Sequence, residues 1–138
     1  MKGERALRLG AALMMFLGFV RALGGVMLLT SGASIDSRIQ ANATTVTMVG
    51  AGLLALGLIL VLSAIGVLRR SRFFWTVGIA CTVAFVIDGA INGALLYGRP
   101  GDQGTIVNVI MAAVILIFLR RGASALPPRG AGEGVPAA

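Results

Sequence analysis

Residues 45–68 read TVTMVGAGLLALGLILVLSAIGVL, a run without a single charged side chain. A helix needs roughly 20 apolar residues to cross the ~30 Å hydrocarbon core of a bilayer, and this run is long enough to do so. Lipid offers the backbone no hydrogen-bond partners, so a single spanning segment has to be helical. The run therefore predicts a transmembrane helix, and it decides the fold class of the chain.

The rest of the chain repeats this pattern. Further apolar segments cover about 7–30, 73–97 and 103–119, separated by short polar connections. Only 12% of the residues are charged, where a soluble domain has about 25%. We predict an all-α, four-helix transmembrane bundle over residues 1–121. Residues 122–138 are rich in Gly, Ala and Pro, which predicts a disordered tail.

Basic residues indicate the orientation of the bundle. Nine of the 12 Lys and Arg residues fall at the N-terminus, in the second connection or after the fourth segment. The first and third connections hold only Arg38 and Arg99. The positive-inside rule then places both termini, and the tail, in the cytoplasm. The preference for Arg over Lys and the wealth of Ala, Gly and Val are typical of a bacterial inner-membrane protein.

Several classes of function are excluded by the residues that the chain lacks. It has no histidine and one cysteine, Cys81. These counts exclude an internal disulfide, a zinc, haem or copper site built from His and Cys, and a Ser-His-Asp or Cys-His nucleophile. The net charge of +7 lies at the ends of apolar segments, so it does not indicate nucleic-acid binding. We expect no enzymatic activity, no cofactor and no metal site.

Two charged residues interrupt the apolar segments. Arg21 lies in FLGFVRALGG (16–25) and Asp88 in FVIDGAING (85–93). Each is about nine residues, or roughly 13 Å, from the outer end of its helix. A lone charge at that depth costs at least ~2.5–3.5 kcal/mol, and pairing with an opposite charge reduces the cost. We therefore predict an Arg21–Asp88 ion pair in the bundle interior, for which the planar guanidinium is well suited.

Other polar residues lie in the outer half of the predicted helices. Asn92 is one helical turn beyond Asp88, Asn108 is about one turn inside the fourth helix, and Thr47 is near the start of the second. Together with the charged pair they predict a polar pocket that opens outward. Helix 1 has an interior face centred on Arg21, and its small members would let a neighbouring helix approach closely. This face comprises Gly10, Met14, Leu17, Gly25 and Leu28.

One family resemblance can be stated from these residues. The run Arg21-Ala-Leu-Gly24-Gly25 and the short, glycine-rich helices resemble the uncharacterised bacterial DoxX-like four-helix membrane proteins. The resemblance implies a four-helix fold and no particular activity. Small multidrug transporters depend on a glutamate in helix 1, where this chain has Arg21. The GFTTFST-like motif of fluoride channels is absent from the third segment.

Two hypotheses for function follow. In the first, the Arg21–Asp88 pair fixes the register of the helices, and the protein is a non-enzymatic accessory or interaction subunit. In the second, the outer polar cluster binds a small solute or relays protons in an oligomeric transporter or channel subunit. The expected partners are the lipid bilayer, further copies of the chain or another membrane protein, and no nucleic acid.

Overall fold

The computed structural model describes residues 2–99 and 103–128, and this part of the chain is helical without a strand. Its elements are α1 (Lys2–Ser31), α2 (Ala43–Leu68), α3 (Arg72–Tyr97) and α4 (Gln103–Gly122), with short 3-10 turns at Gly32–Ile35 and Ala123–Ala125. All four α-helices are long and apolar enough to cross a membrane. The predicted four-helix, all-α class is confirmed.

The helices form a four-membered ring. Each packs against the next in the chain, and α4 closes the ring against α1, so α1 and α3 are diagonal to each other. The Gln40 amide donates to the Leu96 carbonyl at 2.9 Å, which ties the α1–α2 connection to the end of α3. Arg70 pairs with Glu4 at 2.8 Å, which ties the α2–α3 turn to the start of α1. We call the end that contains Glu4 and Arg70 the basic end, and the opposite one the far end.

The predicted interior face of α1 is the buried face. Its five members, Gly10, Met14, Leu17, Gly25 and Leu28, are all buried. On the outside of the bundle, large apolar side chains such as Phe16, Met48 and Leu62 are at least 60% exposed. An apolar exterior of this kind is suited to contact with lipid tails rather than with water.

The structure differs from the prediction at the start of the tail. α4 continues to Gly122, and the chain then turns so that Leu126 is buried in the core. The absence of a side chain at Gly122 permits this, because a Cβ there would lie 2.7 Å from the Leu7 backbone. The Arg72 guanidinium also bonds the Pro127 carbonyl. This start of the tail therefore contacts the bundle through Gly122, Leu126 and the Pro127 carbonyl, and residues 129–138 of the predicted disordered tail lie outside the described residues.

Candidate functional site

The two predicted intramembrane charges meet across the diagonal of the bundle. Nη2 of Arg21 on α1 donates to Oδ2 of Asp88 on α3. The Arg21 side chain is 13% exposed and that of Asp88 is 27% exposed. Since α1 and α3 are not neighbours in the ring, this ion pair links two helices that otherwise make few contacts.

Two α3 residues that lie one helical turn from Asp88 also contact the ion pair. Nδ2 of Asn92 donates to the same Asp88 oxygen at 2.8 Å. The Phe85 ring centre lies 4.5 Å from Cζ of Arg21, close enough for a cation–π contact. Three α3 residues spaced three and four positions apart thus face one arginine. Nε of Arg21 is buried and has no hydrogen-bond partner in the part of the chain that the structure describes.

Asn108 approaches this site from α4. Its Nδ2 lies 2.6 Å from the position that a Cβ at residue 89 would take, so Gly89 is what leaves room for the amide. Asn108 lines a cavity of about 160 Å³ together with Arg21, Asn92 and Thr105. Sequence reasoning missed Thr105, although its place three residues before Asn108 puts it on the same helical face.

Thr47, which was predicted to belong to the polar cluster, does not. Its side chain is exposed, and its hydroxyl donates to the Ala43 carbonyl of its own helix at 2.9 Å. Thr45 takes its place, lining a second cavity of about 290 Å³ with Asp88 and Asn92. Two residues along a helix correspond to about 200° of rotation. The prediction considered the depth of Thr47 and not its helical phase, and depth alone could not choose between the two threonines.

Asn92 therefore lines both cavities, and Asp88 lines the larger one. The smaller cavity lies toward α1 and α4, and the larger one lies between the far-end halves of α2 and α3. Amide, hydroxyl and carboxylate groups at these surfaces are able to bind a polar or cationic group. Among residues 2–99 and 103–128, no group of three or more His, Cys, Asp or Glu side chains is placed to hold a metal ion.

Comparison of the chain with family models, curated proteins and solved structures gave no match. The DoxX-like resemblance of residues 21–25 stays a prediction.

Proposed function

We propose that the chain is a multi-pass protein of the bacterial inner membrane that acts as a non-enzymatic accessory or interaction subunit. Both termini lie in the cytoplasm in this proposal. Support for the orientation comes from the basic end, which gathers Arg and Lys side chains from α1, the α2–α3 turn and α4. The far end carries Arg38 and Arg99.

The observation that supports the accessory role is that Arg21 and Asp88 bind each other inside the bundle. An intramembrane charge is by default a functional candidate. Here the Arg21 charge is neutralised by Asp88 and covered by Phe85, and the Asp88 oxygen that it contacts also accepts from Asn92. Charges paired in this way fix the register of the diagonal helices α1 and α3. Each of the two charges has its counter-charge within the bundle, while Asp88 keeps part of its surface at the larger cavity.

We assign the partner to the cavity between the far-end halves of α2 and α3. Thr45, Met48 and Gly52 line it from α2, opposite Asp88 and Asn92. A Cβ at Gly52 would meet nothing within 4 Å, so this part of α2 is open to another helix. Small residues allow close helix packing in lipid. The Asn92 amide and the Asp88 carboxylate would form hydrogen bonds with a polar side chain of the partner.

Gly52→Leu tests this assignment, with Gly24→Leu on α1 as the matched control. Neither glycine has a neighbour for an added Cβ, so both variants should fold. The experiment is affinity purification of the tagged full chain from its native membrane, with the partner quantified by mass spectrometry. We expect the parent chain and Gly24→Leu to recover a partner at a constant ratio. Gly52→Leu should lose that partner. Equal recovery with both variants would remove the partner from this cavity.

A transporter or channel subunit is the second candidate. The cavity lined by Arg21, Asn92, Thr105 and Asn108 favours it, because it brings hydrogen-bonding groups from three helices together in the far-end half. Reconstituted protein would then collapse a pH gradient across liposomes, and Asn108→Leu would slow the collapse. If no partner is recovered at a fixed ratio and such flux is present, the transporter replaces the accessory role.

A further inference from the structure

A groove between α1 and α4 at the basic end combines cations with an apolar wall. Lys2 and Arg5 of α1 and Arg121 of α4 lie along its rim, while Leu9 and Phe118 lie deeper along the two helices. The volume of the groove is about 540 Å³. Both helices are candidate membrane spans, so the groove lies where a span ends and the headgroup layer begins.

The three cations of the rim have no acidic partner within the described ranges. Glu4 is next to Arg5 in sequence, but its carboxylate is bound by Arg8 at 2.9 Å and by Arg70 at 2.8 Å. Arg72, a further cation at this end, is held by the Pro127 carbonyl. Within the part of the chain that the structure describes, the rim therefore carries positive charge that no carboxylate compensates, above an apolar wall.

We propose that this groove binds one anionic phospholipid. Lys2, Arg5 and Arg121 contact the phosphate, and an acyl chain lies against Leu9 and Phe118. An arginine fork matches phosphate oxygens in geometry, and basic residues near a membrane surface attract anionic lipids. The combination of charge and apolar wall matches a lipid, whereas a soluble anion would use the rim alone. This site depends only on the helices crossing a bilayer, and not on the accessory role.

The test compares two double variants that remove equal charge from the same end. Arg5→Gln/Arg121→Gln alters the rim, whereas Arg69→Gln/Arg120→Gln removes two arginines that do not line the groove. The melting temperature of each purified protein is measured in detergent with added phosphatidylglycerol, phosphatidylcholine or inorganic phosphate. We expect phosphatidylglycerol alone to raise the melting temperature of the parent chain and of the control pair. The rim variant should lose at least half of that rise.

Native mass spectrometry of the parent chain provides a readout that needs no variant. We expect the protein to retain a single phosphatidylglycerol after detergent removal and to lose phosphatidylcholine. Arg5→Lys/Arg121→Lys, which keeps the charge, should retain the lipid and shows whether a rim variant can fold. Equal stabilisation of both glutamine variants would overturn the proposal, since it would reflect charge attraction without a site. A full rise with inorganic phosphate would assign the rim to a soluble anion instead.

Discussion

Gly18 of α1 and Gly57 of α2 face each other so closely that neither could carry a side chain. A Cβ at Gly57 would lie 2.6 Å from the Gly18 carbonyl oxygen, and a Cβ at Gly18 would lie 2.7 Å from that of Gly57. Seven residues further along α1, Gly25 stands in the same relationship to the Gly50 carbonyl at 2.7 Å. The two helices thus pack backbone against backbone, which is the contact that small residues make between helices in lipid.

Gly57→Ala should therefore destabilise the bundle by about 1–3 kcal/mol, because the added methyl forces α1 and α2 apart. Gly52→Ala on the same helix is the control. It has open space around it, and alanine has the higher helix propensity, so its stability should change by no more than about 1 kcal/mol and in the favourable direction. Thermal or denaturant unfolding in a defined detergent checks both. Equal stabilities for the two variants would contradict the close contact.

The Arg21–Asp88 pair should show strong coupling in a double-mutant cycle. Arg21→Leu or Asp88→Leu alone leaves an uncompensated charge inside the bundle. We expect each to cost about 3 kcal/mol, the lower end for buried pairs because Asp88 is partly exposed. The double leucine variant should recover much of the combined loss. The Arg38–Asp36 pair at the far end, in which Arg38 is 81% exposed, should couple more weakly. Additive losses for Arg21 and Asp88 would mean that the charges do not act on each other.

The Arg21–Asp88 pair is predictable from the sequence because the prediction needs only the position of each residue along the chain. Arg21 and Asp88 lie at matching depths in two segments that cross the membrane in the same direction, and an unpaired charge in lipid is costly whatever the packing. The same reasoning located the interior face of α1, since helical periodicity alone assigns residues to a face. Partner and activity depend on surroundings that neither periodicity nor depth encodes.

Depth and periodicity do not predict features that depend on the rotation of each helix about its own axis and on how closely it approaches its neighbours. Thr45 and Thr47 have the same chemistry and nearly the same depth, and only the packing of α2 against α3 distinguishes them. The small residues of 122–138 predict a disordered tail, yet the absence of a side chain at Gly122 is what lets α4 pack on Leu7. Composition identifies small residues without showing whether they give flexibility or close contact.

Acid should release the contact between Asp36 and Arg38 at the far end. Hydrogen bonds from the Arg38 side chain, reinforced by its backbone amide, lower the pKa of the Asp36 carboxyl below its ordinary value. A carboxyl whose pKa is lowered by folding stabilises the folded state above its unfolded pKa. That contribution disappears as the pH falls through the folded pKa. We expect the Asp36 carboxyl to titrate below pH 3.8 in an NMR titration.

Arg38→Gln should raise the titration midpoint of Asp36 toward its ordinary value. Arg99→Gln is the control, because Arg99 lines the same far-end cavity as Arg38 without appearing among the groups that lower this pKa. A midpoint that is unmoved by Arg38→Gln would show that another group holds the carboxyl ionised.

Cysteine labelling in intact cells should report the proposed orientation. Cys81 is first replaced by alanine to remove the native thiol. Ser37→Cys, in the exposed α1–α2 connection, should then react with a membrane-impermeant maleimide from outside. Ser124→Cys, at the exposed basic end, should react only after the membrane is permeabilised. The reverse pattern would mean that the bundle has the opposite orientation. Labelling of both sites from one side would exclude the three spans, α2, α3 and α4, that the fold places between them.

Water should reach the cavity beside Asn108 from the far end. Thr105 is half-buried and lines this cavity, whereas Ala112, two turns deeper on α4, is 2% exposed. In the same Cys81→Ala background, Thr105→Cys should react with the impermeant reagent from outside. Ala112→Cys should remain unlabelled until the protein is unfolded, because packed side chains exclude the reagent there. Protection of both positions would mean that the cavity is closed to water, and it would remove the main support for the transporter alternative. If adding a candidate solute slowed the labelling of Thr105→Cys without changing that of Ser37→Cys, the cavity would be a binding site for that solute.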